Sequence, residues 1–117
     1  MMGIELIDHS KTFELTYPGG AVFTCRHWTN AMDDEVRRAC LVVGDPASGK
    51  FSYNSVLERE MMIDMSVVSW TGVFLDGAEA PCDSQHKKML PTGTAIWLQR
   101  ELEELAGLRM TQEEKKN

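Results

Sequence analysis

The chain has 117 residues, 43% of them hydrophobic, with a formal net charge of −6 and a pI near 5.0. This length fits one domain with a modest core. The acidic balance and the scattered Lys and Arg residues argue against nucleic acid or an anionic membrane as the main partner. No apolar run approaches the roughly 20 residues that span a bilayer, and no secretory leader is recognisable, so a cytoplasmic protein is expected.

Two strands are predicted near the N-terminus. Lys11 to Tyr17 alternates apolar and polar residues, which is the period-two pattern of a strand. Pro18-Gly19-Gly20 suits a type II turn, because proline fixes φ and glycine accepts a positive φ. Ala21 to Trp28 is rich in strand-forming residues. The two segments therefore predict a β-hairpin.

A first helix is predicted from Asn30 to Val43. Thr29-Asn30 supplies its N-terminal cap, acidic residues fill its first turn, and Gly44 stands at its C-terminal cap. A loop over Asp45 to Lys50 and a short extended segment at Phe51 to Tyr53 follow. The apolar stripe predicted for the helix consists of Met32, Val36, Ala39, Cys40 and Val43.

A second helix is predicted to begin at Ser55-x-x-Glu58, which reads as a capping box. The helix runs toward Trp70 in this interpretation. The Val67-Val68 pair can instead start a strand, and periodicity does not decide where the helix stops. The predicted buried stripe consists of Leu57, Met61, Met65 and Val68.

The remaining segments predict turns and two further helices. Gly72 to Pro81 is a loop or a small hairpin about Asp76-Gly77, and Asp83 or Ser84 caps a short helix through Leu90. The last helix begins at Pro91-Thr92 and stops at Gly107, with a core stripe of Ala95, Leu98, Leu102 and Leu105. The predicted fold is α+β: an N-terminal β-hairpin followed by three or four helices, in a single small domain over residues 1–110, with a disordered charged tail over residues 111–117.

The segment Gly44–Lys50 has the G-x-x-x-x-G-K frame of a phosphate-binding loop after an apolar run. Phe51 occupies the position at which such loops carry the Ser or Thr that holds Mg²⁺. The apolar run also continues a helical pattern, whereas a phosphate-binding loop connects a strand to a helix. We therefore interpret the match as chance and predict no cofactor.

Cys25, His27, Cys82 and His86 offer two sulfurs and two imidazoles, a ligand set that zinc accepts. Structural zinc sites usually present C-x₂₋₄-C spacing, so a half-buried Cys25 and a surface His86 are the simpler interpretation, and no metal site is predicted. No local context supports a nucleophilic cysteine, and the carboxylates lie on helix faces and first turns. The three tryptophans are not interleaved with basic residues, which places them in the core or at its rim.

The stretch W-T-G-V-F-L-D-G-A-E-A-P-C from Trp70 to Cys82, preceded by Val67-Val68 and followed by Leu90-Pro91, resembles the tail assembly chaperones of long-tailed bacteriophages and their prophages. The order of elements agrees over residues 12–117, and the middle third carries the sharpest likeness. Phe74-Leu75 departs from the family, which often has more acidic residues beside the Asp-Gly turn. The resemblance implies a non-enzymatic factor that binds the tape-measure protein and tail-tube subunits during tail assembly.

Other function classes stay open beside this one. The predicted architecture is also compatible with a structural tail or connector protein of the virion. A small regulator would bind a nucleotide at the loop Gly44–Lys50 or a metal at the Cys/His set described above. A generic adaptor protein, with no connection to a phage, is the last alternative. Self-association is also open. Val73, Phe74 and Leu75 are expected to be buried as the hinge of the core, but an exposed Phe74 beside Trp70 would mark a partner-binding patch of Trp70, Val73 and Phe74.

Overall fold

The computed structural model describes residues 3–43, 49 and 51–108, in which strands and helices are mixed along the chain. The predicted α+β class is confirmed: an N-terminal hairpin is followed by four helices in a single small domain. The elements are β1 (Thr12–Thr16), β2 (Val22–Arg26), α1 (Asn30–Cys40), β3 (Leu41–Val43), β4 (Phe51–Tyr53), α2 (Ser55–Ser66), β5 (Val67–Thr71), β6 (Phe74–Leu75), β7 (Ala78–Glu79), α3 (Ser84–Lys87) and α4 (Thr92–Leu105).

The first hairpin forms as predicted and gains a third strand. The Gly20 N–H donates to the Tyr17 carbonyl over 3.0 Å, with Gly19 at a φ of 113°, a conformation that glycine tolerates. The sheet order is β1-β2-β5, and all pairs are antiparallel. Opposite Thr24 and Cys25 of β2, the register of β5 shifts by one residue, so that Val67 and Trp70 both face the core despite their odd spacing.

The first helix is shorter than predicted. Thr29 caps it, because its hydroxyl accepts the Met32 N–H over 3.2 Å, but the helix ends at Cys40 rather than at Val43. Leu41–Val43 form β3 instead, paired antiparallel with β4. β-branched residues favour extended backbone, and the pairing with β4 supplies the hydrogen bonds. Of the predicted stripe, Met32, Val36 and Cys40 are buried and Ala39 is exposed.

The second helix is capped by Asn54, so the predicted capping box at Ser55 is wrong. The Asn54 Oδ1 accepts the Leu57 N–H over 3.0 Å. The centre of the buried face is also shifted by one position from the prediction. Met62, Ile63 and Ser66 are buried, while Leu57, Met61, Met65 and Val68 are half-buried.

The helix then stops at Ser66, and Trp70 lies in β5 rather than at a helix end. This outcome corresponds to the alternative in which Val67-Val68 starts a strand. The cause is tertiary: Val67 pairs with Cys25 of β2, a partner more than forty positions earlier in the chain. A local apolar periodicity contains no information about that pairing.

The Asn54 cap leads to a prediction for stability. Asn54→Ala is expected to lower the free energy of unfolding by about 1 kcal/mol, because one N–H at the start of α2 loses its acceptor. Ser55→Ala is the matched control and should change it by less than about 0.5 kcal/mol. Urea unfolding followed by circular dichroism measures both. A larger loss for Ser55→Ala would restore the capping box and contradict the assignment of the cap to Asn54.

The last two helices differ from the prediction mainly at their ends. Asp83 caps α3, as one of the two candidates, but α3 ends at Lys87 rather than Leu90. In α4, Leu98 and Leu102 are buried as predicted, whereas Leu105 is 60% exposed. Gly107, at a φ of 73°, ends α4 as predicted.

The core lies between one face of the three-stranded sheet and the helices. α2 contacts both α1 and α4 as well as β2 and β5. Trp28 and Trp70 are buried and Trp97 is half-buried, in agreement with the prediction of core or rim positions. In the described part of the chain, no helix is long and apolar enough to cross a membrane. The predicted tail at residues 111–117 lies outside the described residues.

Candidate functional site

Trp70 connects the sheet to the segment that follows it. The side chain is 7% exposed, and its ring makes an edge-to-face contact with Phe23, with centroids 6.2 Å apart. The indole Nε1–H donates to the Ala80 carbonyl over 2.8 Å. Trp70 therefore fixes the far end of the next hairpin to the core through a buried hydrogen bond.

That next hairpin consists of β6 and β7 and turns at Asp76-Gly77, as one of the two predicted alternatives. The φ angles of Asp76 and Gly77 are 53° and 81°, and two successive positive values are typical of a tight type I′ turn. The Ala80 N–H donates to the Val73 carbonyl over 2.8 Å, and the Gly72 N–H donates to Glu79 Oε1 over 3.1 Å. The hairpin is therefore closed by hydrogen bonds at its base.

Phe74 and Leu75 are exposed, so the prediction that the residues 73–75 are buried is wrong. Phe74 is 67% exposed and Leu75 is 41% exposed, while Val73 is half-buried. All four strand residues of this hairpin are exposed, so neither of its faces is covered by the core; the hairpin is attached to the core at its base, through Trp70 and Ala80. Of the three candidate binding residues, Trp70 is therefore buried and Val73 is half-buried. Phe74 alone is exposed enough to make a large contact with a partner.

A groove of about 100 Å³ lies beside Phe74, between the hairpin and the connection from α3 to α4. Residues 73–75 form one wall and residues 89–91 form the other, with the buried Trp70 and Ala80 between them. His86 also lines this groove. We call this site the hairpin groove. Eight of its nine lining residues are apolar in type, and exposed apolar residues grouped in this way are typical of a surface that binds another protein.

The second wall is held in place by polar contacts between α3 and α2. The Ser84 hydroxyl donates to Asp64 Oδ1 over 2.7 Å, and the Lys87 Nζ donates to the Asp64 carbonyl over 3.0 Å. At the start of α3, hydrogen bonds from the backbone and side chain of His86 lower the pKa of the Asp83 carboxyl. Hydrogen bonds therefore hold both sides of the groove, at the base of the hairpin on one side and between α3 and α2 on the other.

Met89 contributes to the hairpin groove and was not predicted as a binding residue. Its side chain is 55% exposed, and the half-buried Leu90 follows it. Sequence reasoning placed both in a short helix that in fact ends at Lys87. The chain contains eight methionines, whose flexible thioether side chains suit adaptable binding surfaces. This high methionine content was the one feature of the sequence that pointed to a methionine at a binding site.

The cysteine and histidine set does not form a metal site. Cys25 is fully buried, and burial raises the pKa of its thiol to about 12, so the thiol stays neutral near pH 7. His27 is exposed with its ring against Phe13, and His86 contacts Asp83 over 2.6 Å. Across residues 3–43, 49 and 51–108, no three His, Cys, Asp or Glu side chains are arranged to hold a metal ion.

The phosphate-binding frame also lacks the required surroundings. The apolar run Leu41–Val43 is a strand, so the objection that it is helical was wrong. The helix that must follow such a loop is absent, because Phe51 begins β4, and β4 pairs antiparallel with β3. A phosphate-binding loop needs a helix N-terminus directly after it. Residues 44–48 and 50 lie outside the described residues.

Comparison with known proteins adds no family to this description. No protein-family model matches the sequence, no curated protein is significantly similar to it, and no solved structure has a significantly similar fold. The hairpin groove and its exposed Phe74 therefore provide the basis for a functional assignment.

Proposed function

We propose that the chain is a non-enzymatic protein-binding factor that uses the hairpin groove, and that it acts as a tail assembly chaperone, as its resemblance implies. The observation that carries the proposal is the exposure of Phe74, 67%, above a groove with fixed walls. A fully buried aromatic side chain removes about 200 Å² from water. A partner that covers Phe74 therefore gains a large part of that area without reordering this chain.

The groove fits an amphipathic helix better than a small molecule. Phe74, Leu75 and Met89 offer adjacent apolar contacts, and helices bind such surfaces through residues three and four positions apart. The chain as a whole has a net charge of −6. A helix with an apolar stripe and basic flanks is thus the favoured ligand. The tape-measure protein, which is long and largely helical, and the tail-tube subunits are the proposed partners.

Co-expression tests the identity of the partner. The chain should co-purify with the tape-measure protein encoded by the same genome, and a tape-measure gene directly downstream would support the pairing. Phe74→Asp is expected to weaken the complex at least about tenfold in a calorimetric titration, because a charge replaces the central apolar contact. The matched control is Val56→Asp, since Val56 is 54% exposed but lies in α2 and does not line the groove.

Two results would contradict this proposal. Equal affinity of Phe74→Asp and the unchanged chain would remove the hairpin groove from the interface. Stoichiometric amounts of the chain in purified virions would replace the chaperone by a structural tail or connector protein. A chaperone is instead expected in the host cytoplasm and absent from finished particles.

A further inference from the structure

β3 and β4 form a two-stranded ribbon outside the main sheet. Leu41 pairs with Tyr53 and Val42 with Ser52. Leu41, Phe51 and Tyr53 lie on one face of the ribbon, and their exposed fractions are 50%, 64% and 40%. An isolated two-stranded ribbon is marginally stable in water, and exposed apolar residues lower its stability further. A further strand paired at its edge would therefore stabilise the ribbon.

The hydrogen-bond pattern shows which edge of the ribbon is open. The Asn54 N–H donates to the Cys40 carbonyl over 2.8 Å. Because bonding and non-bonding pairs alternate in an antiparallel ladder, the N–H and C=O groups of Phe51 and Tyr53 point away from β3. On the opposite edge, the Leu41 N–H is already bonded to the Arg37 carbonyl in the last turn of α1. A further strand can therefore form more backbone hydrogen bonds at the edge of β4 than at the edge of β3.

We propose that two copies of the chain form a two-fold dimer by antiparallel pairing of β4 with β4, with the axis at Ser52. In this register, Phe51 lies opposite Tyr53 of the second copy, and the reverse pair is equivalent by symmetry. The outward groups of Phe51 and Tyr53 then make four backbone hydrogen bonds across the axis. Two marginal ribbons become one four-stranded sheet whose aromatic side chains pair across strands.

The β4 sequence Phe51-Ser52-Tyr53 favours a second copy over an unrelated strand. Its central serine is flanked by two aromatic residues. Two antiparallel copies therefore place Ser52 opposite Ser52 and an aromatic residue opposite an aromatic residue on each side. β4 contains no charged residue or proline, the usual groups that block pairing at an edge. The Tyr53 hydroxyl is hydrogen-bonded to the Glu58 carboxylate, which holds its ring against α2 of the same chain.

The exposed area predicts a weak dimer. The strand β4 alone borders the second copy, and with about 200 Å² for a full aromatic side chain the exposed parts of Phe51 and Tyr53 supply at most roughly 200 Å² per copy. A standard interface buries about 800 Å² per partner, a little over half of it apolar, or roughly 450 Å². The two aromatic residues supply less than half of that area, so we expect a dissociation constant of about 100 µM or weaker. No residue that lines the hairpin groove belongs to the ribbon, so both grooves stay free.

Sedimentation velocity over a concentration series tests the dimer. The unchanged chain should shift from monomer to dimer between about 1 µM and about 1 mM, the range expected for a small interface. Ser52→Glu places two like charges opposite each other at the axis and should raise the dissociation constant at least about tenfold. Ser69→Glu, at an exposed serine of β5, is the matched control and should leave it unchanged.

A cross-link gives a second, independent readout. Residues at position 52 of the two copies form a non-hydrogen-bonded pair with Cα atoms about 4.5 Å apart, which a disulfide spans. Under mild oxidation, Ser52→Cys should form a covalent dimer, whereas Ser69→Cys and the unchanged chain should not. The proposal is overturned if the unchanged chain stays monomeric throughout the series, if Ser52→Glu dimerises like the unchanged chain, or if Ser52→Cys does not cross-link.

Discussion

Phe23→Ala is expected to lower the free energy of unfolding by about 3–5 kcal/mol, the largest effect expected of a single truncation in this chain. Phe23 is fully buried in the central strand β2. Its ring lies 6.2 Å from the Trp70 ring and 6.4 Å from the Trp97 ring. Its removal would leave a cavity between β5 and α4, which the two large aromatic side chains cannot fill without moving.

Urea unfolding measures the effect, with Thr24→Ala as the matched control. Thr24 is the next residue of the same strand and points to the opposite, solvent-facing side, so its truncation should cost less than about 1 kcal/mol. Because domains of this size have a total stability of about 5–15 kcal/mol, Phe23→Ala would unfold a large fraction of the protein when heated moderately. A loss below about 1.5 kcal/mol would show that the core is not centred on Phe23.

Gly72→Ala is the second large expected effect, with a loss of about 2–3 kcal/mol. Gly72 has a φ of 76°, which disfavours any side chain, and a Cβ there would lie 3.1 Å from the Ala21 Cα. Because the Ala21 Cα is a backbone atom of the first hairpin, it cannot relieve the clash by a side-chain rotation. Two penalties therefore add at one position, which connects β5 to the hairpin of the groove.

Gly93→Ala is the control for Gly72→Ala. Gly93 lies in the first turn of α4, where an added Cβ would extend into open space, so alanine should be neutral or stabilise the protein by up to about 1 kcal/mol. Thermal unfolding measures the melting temperatures of both variants. A lower melting temperature for Gly72→Ala alone shows that the loss comes from the strained backbone at Gly72 and not from replacing a glycine with alanine in general. An unchanged melting temperature for Gly72→Ala would contradict the close contact between the two hairpins.

The features that could be predicted from the sequence are those encoded locally. Pro18-Gly19 and Asp76-Gly77 both form turns with the positive φ angles that their residue types allow. The alternation in β1 and the central leucines of α4 were likewise predicted, because each pattern reflects one face against the core. These elements require no knowledge of a distant partner.

The ends of the first two helices could not be predicted for the same physical reason. Val43 and Val68 fit an apolar helix stripe and a strand equally well, and the pairing of β3 with β4 and of β5 with β2 decides in favour of the strand. The cap of α2 is a different error: Asn54 and Ser55 are both good capping residues, and the chain uses the first.

Trp70, Val73 and Phe74 line one groove, but the expected burial of Val73, Phe74 and Leu75 was wrong for Phe74 and Leu75. Both are exposed because the short hairpin extends from the core and neither of its faces is covered. Met89 belongs to the same groove through a tertiary contact that no spacing reveals. Exposure depends on how many sides of an element the rest of the fold reaches, and a single sequence does not encode that directly.

The most direct test of the hairpin groove is a chemical-shift titration of the ¹⁵N-labelled chain with a helical segment of the tape-measure protein. The largest amide shifts are expected at residues 70–91, including Phe74 and Met89, with little change in β1 and on the open face of the sheet. Phe74→Asp should weaken binding at least about tenfold, so that the same shifts require about ten times more of the helical segment, while the spectrum of the free variant remains that of a folded protein. Binding that shifts other residues and is unaffected by Phe74→Asp would contradict the groove as the binding site.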